Sequence, residues 1–210
     1  MLIERFVLNE LYTNTYVVGE PQGEVMILDP GDEEMAEVIE FVRDQRLTVK
    51  CIVNTHAHYD HVLGNECMRN FYAVPLYVHE RDLDMLVQLP RITANLFGKS
   101  VPSQPPDRYL QEGNVIEVGR FHFRVLETPG HTPGGVCLYE EREGTLFTGD
   151  TLFAGTIGRT DLPGGNAEQL MRSLREKLWP LPDEVVIYPG HEEESTISEE
   201  RMHNPYFHFS

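Results

Sequence analysis

Short apolar or alternating runs, separated by turn residues, dominate the hydrophobic pattern of this 210-residue chain. Runs of this kind are typical of strands that bury one or both faces. The alternation over residues 115–126, interrupted by Gly119 and Arg120, predicts a β-hairpin. The predicted strands cover residues 2–8, 15–18 (joined to the first by a turn), 25–28, 51–53, 76–78, 115–118, 121–126, 136–139, 145–148 and 185–188.

Apolar positions at helical spacing follow several of these strands. Asp32 stands where it can cap the first helix, whose apolar face consists of Met35, Val38, Ile39 and Val42. Further helices are predicted over residues 62–71, 81–89 and 167–178. Residues 90–113 hold four prolines and little periodicity, which predicts a long loop of the kind that forms lids, pocket walls or subunit contacts.

A strand–Asp–helix–strand–His unit occurs twice along the chain. In the first half, a strand ends in Asp29, and a helix and a strand then lead to His56. In the second half, a strand ends in Asp150, and a loop, a helix and a strand lead to His191. Because α/β folds place their sites at strand ends, packing of the halves as related layers would bring these four residues to one edge.

Composition narrows the possible classes of protein. A length of 210 residues with 40% hydrophobic and 24% charged residues predicts one globular domain over residues 1–210. The 34 acidic residues outnumber 17 basic ones, and a net charge of −17 predicts no nucleic-acid partner, since such partners need a basic footprint. No apolar run suits a membrane span, and the first residues lack the pattern of a signal peptide. Three cysteines without a C-x-x-C pair are typical of reduced thiols, so a cytoplasmic location without membrane contact is expected.

The largest local concentration of candidate metal ligands is the sequence T-H-A-H-Y-D-H at residues 55–61, which follows the apolar run at residues 51–53. Four candidate metal ligands fall within six residues, namely His56, His58, Asp60 and His61. The first two histidines, two residues apart on a strand, are separated by about 6–7 Å along one side. Their ring nitrogens can therefore share one ion at about 2.0–2.1 Å. Asp60 and His61 then turn toward a helix, where they can serve a second ion.

Three further candidate ligands stand at strand ends or rigid turns: His131 in T-P-G-H, Asp150 in T-G-D and His191 in P-G-H. One ion cannot use seven ligands, whereas two ions can if one carboxylate bridges them. The first ion is assigned to His56, His58 and His131. The second ion is assigned to Asp60, His61 and His191, with Asp150 bridging. Histidines and carboxylates suit two divalent ions, of which zinc is expected first and iron or manganese is also compatible.

Two ions about 3.5–4 Å apart can trap a bridging water whose pKa falls toward neutrality, giving a hydroxide nucleophile. Asp60 and Asp150 are the predicted catalytic carboxylates around this metal-bridging hydroxide, with Asp60 orienting the water and accepting its proton. Asp29 is expected to orient a histidine through its other ring nitrogen, and its alternative role is that of a plain turn aspartate. His122 is predicted to be a surface histidine of the hairpin.

In their order along the chain, T-H-A-H-Y-D-H, T-P-G-H, T-G-D and P-G-H resemble the motifs of the metallo-β-lactamase superfamily. The resemblance implies an α/β fold, a four-layer αβ/βα sandwich with a dinuclear metal site at one edge of its two sheets. Residues 153–161 and the P-G-H motif resemble the short members of the glyoxalase II-like (hydroxyacylglutathione hydrolase-like) branch, which have no C-terminal helical domain. That branch implies hydrolysis of a small-molecule thioester such as S-lactoylglutathione. Arg159 matches the basic position that holds the glutathione carboxylate there.

Other activities stay open at this point. Persulfide dioxygenases of a neighbouring branch also carry G-R-T-D, and they hold one iron through residues that would be His56, His131 and Asp150 here. An ester or lactone hydrolase would use the same metal machinery, and a non-catalytic metal-binding module is the non-enzymatic alternative. Asp161 stands where the glyoxalase II branch has a tyrosine and can pair with Arg159. The three glutamates at residues 192–194 are either a solvated acidic turn or a source of repulsion for anionic substrates.

Overall fold

The computed structural model describes residues 1–209, which form fourteen strands and six α-helices. The strands are β1 (Leu2–Leu8), β2 (Thr13–Gly19), β3 (Glu24–Leu28), β4 (Thr48–Val53), β5 (Leu76–His79), β6 (Arg108–Leu110), β7 (Val115–Val118), β8 (Phe121–Glu127), β9 (Val136–Glu140), β10 (Thr145–Gly149), β11 (Leu152–Phe153), β12 (Thr156–Ile157), β13 (Val186–Pro189) and β14 (Ser195–Thr196). The helices are α1 (Ala36–Asp44), α2 (Tyr59–Val62), α3 (Asn65–Tyr72), α4 (Leu83–Phe97), α5 (Ala167–Ser173) and α6 (Ile197–His203). A 3₁₀ turn (Glu80–Asp82) precedes α4, and a π-helical turn (Leu174–Leu178) continues α5. None of the helices within residues 1–209 combines the length and the apolar character needed to cross a bilayer.

Most of the strands belong to two six-stranded mixed sheets. In the first sheet the spatial order is β1-β2-β3-β4-β5-β6, with β3 to β6 parallel and β1 and β2 added antiparallel. In the second sheet the order is β14-β13-β10-β9-β8-β7, where β10 and β13 are parallel and the other pairs are antiparallel. Strands β11 and β12 form a separate ribbon. Each sheet thus contains parallel neighbours whose carboxyl ends share one edge.

Three apolar cores lie between four layers. The first core packs the helices α1, α3 and α4 on the first sheet, the second joins the two sheets, and the third packs α5 and α6 on the second sheet. Because side chains alternate along a strand, Ile27 and Met26 of β3 enter the first and second cores, and Phe147 and Leu146 of β10 enter the second and third. The predicted four-layer αβ/βα sandwich is therefore confirmed.

Two helix predictions near the site were wrong in detail. The helix expected over residues 62–71 begins only at Asn65, as α3, because a separate short helix, α2, ends at Val62 and the chain breaks at Gly64. The N–H of Gly64 bonds the Pro30 carbonyl at 2.9 Å, and the backbone approaches the turn before α1 too closely there for a side chain. Asp32 does not cap α1, because its carboxylate accepts the N–H of Glu34 at 3.0 Å in the preceding turn.

The prediction of a loop over residues 90–113 was wrong for its first part, because α4 continues through Pro90. A proline inside a helix costs about 3 kcal/mol because it removes one hydrogen bond and clashes with the preceding turn. Here Leu86 and Leu89 are buried on one face of α4, and burying a leucine stabilises by about 1.5–3 kcal/mol. The hydroxyl of buried Thr93 also donates to the Leu89 carbonyl at 2.9 Å. Tertiary burial therefore outweighs the local signal of the proline.

The strand ends bring candidate ligands to one edge of the sandwich. Asp29 follows β3 and accepts the N–H of Thr55, which lies just beyond β4, at 2.7 Å. Asp150 follows β10, and its Oδ2 lies 3.5 Å from Nε2 of His191, which lies just beyond β13. Nε2 of His56 lies 4.0 Å from the same oxygen. The repeated unit in the sequence predicted this meeting of strand ends from the two sheets.

Candidate metal centre

Three groups of three potential metal-ligating side chains lie at this edge. One of them, Asp29, His56 and His61, overlaps the other two, which have no member in common and are called the two clusters. Within each cluster, one donor atom of every member lies within 4.8 Å of the others. The first cluster consists of His56, His58 and His131, and the second consists of Asp60, His61 and His191. These are the two sets predicted from the sequence to hold separate ions, and metal binding by each set stays a prediction.

Asp150 lies between the two clusters. Its Oδ2 is 3.3 Å from Nε2 of His131 and 3.5 Å from Nε2 of His191. Its Oδ1 is 3.4 Å from Nε2 of His61. Since the carboxylate reaches ring nitrogens of both clusters, it is placed to be shared by two cations.

Hydrogen bonds at the far ring nitrogen orient His131 and His191. Nδ1 of His131 donates to the Arg159 carbonyl at 2.7 Å, and Nδ1 of His191 donates to the Leu11 carbonyl at 3.1 Å. A carbonyl only accepts, so Nδ1 of each ring carries a proton and Nε2 can keep its lone pair for a metal ion. Bonds of this kind fix the tautomer and the ring plane of metal-ligating histidines.

Asp29 and Thr55 orient two more histidines. Oδ2 of Asp29 accepts from Nδ1 of His61 at 3.1 Å and from the Thr55 hydroxyl at 2.6 Å. Because the hydroxyl has given its only hydrogen to Asp29, the ring must donate in the 3.1 Å contact between Thr55 Oγ1 and Nδ1 of His56. Both rings therefore present Nε2 to the site. Asp29 is placed to orient His61, as its position in the sequence suggested.

Among residues 1–209, two buried polar atoms of the site have no hydrogen-bond partner, Nε2 of His56 and Oδ1 of Asp150. Buried polar atoms are almost always paired, so each such orphan calls for an explanation. Nδ1 of His58 and Nε2 of His131 also lie only 2.8 Å apart, where both rings converge. Unpaired acceptors, converging nitrogens and a shared carboxylate fit two divalent cations that accept nitrogen and oxygen ligands.

The start of β2 positions the second cluster, although the sequence analysis assigned these residues to a turn. The Thr13 hydroxyl donates to Oδ2 of Asp60 at 3.0 Å. The backbone N–H of Asn14 bonds the Gly190 carbonyl at 2.7 Å, and its side-chain amide bonds the Pro189 carbonyl at 2.9 Å, directly before the last histidine. Both side chains are buried, and buried polar groups need partners. A polar run at the head of an apolar strand was the signal that could have found them.

The two clusters differ in their protonation. Burial by itself lowers the pKa of His61, but the carboxylates of Asp150 and Asp60 outweigh it and raise that pKa to about 10. For His58, burial and the neighbouring His131 lower the pKa to about 3. At neutral pH, His58 is therefore neutral, whereas His61 holds an additional proton that a metal ion must displace.

Zinc binding near neutral pH is expected to release at least about one proton per chain, because the pKa of His61 lies above the working pH and that of His191, despite burial, is also raised by Asp60 and Asp150. His58 is neutral before the metal arrives and contributes none. An indicator dye in weakly buffered, chelator-treated protein measures the release as zinc chloride is added. The His61→Ala chain is the matched control and should release about one proton fewer, and equal release from both chains would contradict the assignment.

A cavity of about 550 Å³ opens onto the clusters, a volume suited to a small molecule. Its apolar wall is formed by Leu11, Tyr12, Phe153 and Ile157. Arg159 also lines the cavity, but its guanidinium donates two hydrogen bonds of 2.7 Å to the Asp161 carboxylate. The basic group that the sequence analysis singled out is thus already paired within the chain.

One predicted surface residue is confirmed, whereas both roles considered for residues 192–194 stay open. His122 is exposed and belongs to neither ligand cluster. The glutamates at residues 192–194 are also exposed, and Arg5 pairs with Glu193 at 2.7 Å and donates to the Glu192 carbonyl at 3.0 Å. Glu192 lies at the cavity, where it adds a negative charge.

Known proteins resemble this chain in sequence and in structure. The family described as the metallo-beta-lactamase superfamily matches residues 8–191. The hydroxyacylglutathione hydrolase GloC of Haemophilus influenzae is 35% identical over 209 residues, which cover 98% of each chain. The crystal structure of the BLEG-1 B3 metallo-beta-lactamase has a TM-score of 0.90 at 34% identity and covers 98% of this chain and 99% of its own. The di-iron-bound form of TTHA1623 has a TM-score of 0.86 at 35% identity and covers 97% of this chain and 99% of its own.

Proposed function

The chain belongs to the metallo-beta-lactamase superfamily as a metal-dependent hydrolase, and within that class we propose that it cleaves the thioester bond of a small S-acyl thiol. The observation that carries the proposal is the pair of ligand clusters sharing Asp150 and opening onto a cavity of small-molecule size. S-lactoylglutathione is the first substrate to test, since the similar protein from Haemophilus influenzae is a hydroxyacylglutathione hydrolase.

The side chains of the two clusters would hold two divalent ions, and zinc, iron and manganese all suit this donor set. Bound there, the ions supply a Lewis acid and a water of lowered pKa. Neither cluster contains a serine or a cysteine that could act as the nucleophile. A thiol with a pKa of about 8.5 leaves readily as thiolate, which suits a site without a dedicated proton donor for the leaving group.

Asp60 is the residue we propose as proton acceptor. Burial by itself raises the pKa of Asp60, but His61, His191 and the hydrogen bond from Thr13 outweigh it and lower that pKa, so the carboxylate is ionised at neutral pH. The Thr13 bond also fixes Oδ2 of Asp60, which lies 3.3 Å from Nε2 of His191. The fixed carboxylate can orient a water within hydrogen-bond reach and take up its proton, and its lowered pKa makes it a weak base that readily releases the proton again.

Hydrolysis of S-lactoylglutathione, followed as release of free thiol, tests the proposal. Turnover is expected to disappear with a chelator and to return with zinc, iron or manganese. Three alternative activities are tested on the same sample: hydrolysis of a β-lactam, hydrolysis of a lactone, and oxygen uptake with glutathione persulfide. The β-lactam is included because a similar structure is a B3 metallo-beta-lactamase. Turnover of one of these with no hydrolysis of any thioester would overturn the proposal and leave the family intact.

Asp161→Asn is expected to raise kcat/KM for S-lactoylglutathione by about threefold to tenfold, because it frees Arg159 to bind a carboxylate of the thiol. The existing pair is bidentate but exposed, so breaking it costs little stability. A neutral thioester of N-acetylcysteamine is the matched control and should be hydrolysed at an unchanged rate. Equal change for both substrates would contradict a role of Arg159 in binding the anionic thiol.

A further inference from the structure

Asp82 is a buried carboxylate that the proposed chemistry does not use. It stands at the N-cap of α4, where an aspartate side chain usually bonds the first N–H groups of its own helix. No such bond is formed, and within residues 1–209 no lysine or arginine pairs with it. The carboxylate instead contacts the two chain segments that carry the first ligand cluster.

Three hydrogen bonds define this contact. Oδ2 of Asp82 accepts the backbone N–H of Ala57 at 3.0 Å and the hydroxyl of Thr132 at 2.8 Å. Oδ1 accepts the backbone N–H of Gly134 at 2.6 Å. Ala57 lies between the two histidines of T-H-A-H, and Thr132 directly follows the third histidine of the cluster. One carboxylate therefore bonds both segments immediately beside their ligands.

The second segment packs directly on this carboxylate. A Cβ on Gly134 would lie 2.7 Å from Oδ1, 2.8 Å from Cγ and 2.9 Å from the backbone nitrogen of Asp82. Only a residue without a side chain permits this approach. A backbone bond from Val136 to the Thr55 carbonyl also joins the segments, but it lies further from the third histidine than the Asp82 bonds do.

We propose that Asp82 is a positioning residue for the first metal ion. Its carboxylate ties the segment of His56 and His58 to the segment of His131. The two segments belong to different sheets, so the spacing of their ring nitrogens depends on what joins them. Burial raises the pKa of Asp82, and the bonds from Thr132, Gly134 and Ala57 oppose that rise. The inference rests on metal binding by the first cluster and is independent of thioester hydrolysis.

A change at Asp82 is expected to affect the binding of one ion only. The second cluster is positioned by other residues, since Thr13 holds Asp60 and Asn14 holds the turn before His191. In the described part of the chain, the hydrogen bonds of the Asp82 carboxylate go to Ala57, Thr132 and Gly134 and to neither of these elements. A change at Asp82 should therefore weaken the binding of the first ion and leave the affinity for the second ion unchanged.

Titration of the chelator-treated chain with cobalt(II), read by calorimetry and by the visible absorption of the metal, tests this. In Asp82→Asn an amide N–H replaces one oxygen, and in either orientation it faces a backbone N–H, that of Ala57 or of Gly134. We expect one ion to bind about 10–100-fold more weakly, with an altered spectrum, as for other residues that orient metal ligands. The other ion should keep its affinity within about twofold.

Glu200→Gln is the matched control, because Glu200 is another buried carboxylate that accepts the N–H of Gly155 and the amide of Asn204. It should lower the melting temperature while leaving both cobalt affinities unchanged. Gly134→Ala disturbs the carboxylate from the other segment and must weaken the same ion as Asp82→Asn. If Asp82→Asn does not fold, the cobalt titration of Gly134→Ala alone tests the proposal. Unchanged affinity for both ions, or equal loss for both, would overturn the proposal.

Discussion

Replacing Asp150 with alanine is expected to lower kcat/KM for S-lactoylglutathione by roughly a thousandfold or more and to abolish the binding of one ion. Asp150 is the carboxylate that reaches both clusters, through Oδ2 to His131 and His191 and through Oδ1 to His61. Losing several kcal/mol of transition-state stabilisation from a metal centre corresponds to a rate loss of about this size. Steady-state kinetics and elemental analysis of the same preparations measure both effects.

Asp44→Ala provides the control for this prediction, because Asp44 is exposed, lies at the end of α1, pairs with its neighbour Arg43 and belongs to neither ligand cluster. It should retain wild-type kinetics and metal content. An Asp150→Ala chain that binds two ions and keeps more than about a tenth of its activity would contradict the bridging position.

Alanine at Asp29 is expected to lower the free energy of unfolding by about 3 kcal/mol. The change leaves two buried donors, the N–H of Thr55 and Nδ1 of His61, without an acceptor. Leaving such a buried group unpaired costs about 1–3 kcal/mol. Asp29 also has a φ of 49°, a left-handed conformation that aspartate and asparagine adopt more readily than alanine. Urea unfolding in the presence of a chelator measures the loss without a contribution from bound metal.

Asp29→Asn separates the two causes, because asparagine tolerates the same backbone conformation and still offers one acceptor oxygen. Its free energy of unfolding should fall by about 1–2 kcal/mol, less than that of the alanine variant. A loss below about 1 kcal/mol in Asp29→Ala would contradict the role of Asp29 in holding the ligand segment.

The candidate ligands were predictable from sequence because their signal is local. His56, His58, Asp60 and His61 fall within six residues, and the other three ligands end strands or occupy rigid turns. The repeated strand–Asp–helix–strand–His unit then placed the two halves at one edge, because parallel strands end together. The division into two clusters followed from the number and spacing of ligands.

The residues that position those ligands were not predictable in the same way. Asp82 bonds Ala57 and Thr132, which lie 25 and 50 residues away along the chain. The sequence pattern placed Asp82 inside the first turn of the helix predicted over residues 81–89, where nothing indicated these partners. The side chain of Asn14 bonds the Pro189 carbonyl, 175 residues away, and no neighbouring residue in the sequence indicates that partner. Contacts of this kind depend on the packing of layers, which periodicity does not encode.

Local signals also misled at one helix. Pro90 and the prolines that follow it suggested a loop over residues 90–113, whereas α4 runs seven residues past Pro90 because its apolar face is buried. Propensity is a weak guide where tertiary burial is large.

Metal content and S-lactoylglutathione hydrolysis, measured on the same chelated sample as zinc is restored stepwise, test the central claim most directly. The arrangement of His56, His58 and His131 on one side and Asp60, His61 and His191 on the other, with Asp150 between, predicts full thioester hydrolysis at two ions per chain. Full activity at one ion per chain, or two bound ions without hydrolysis of any thioester, would contradict it.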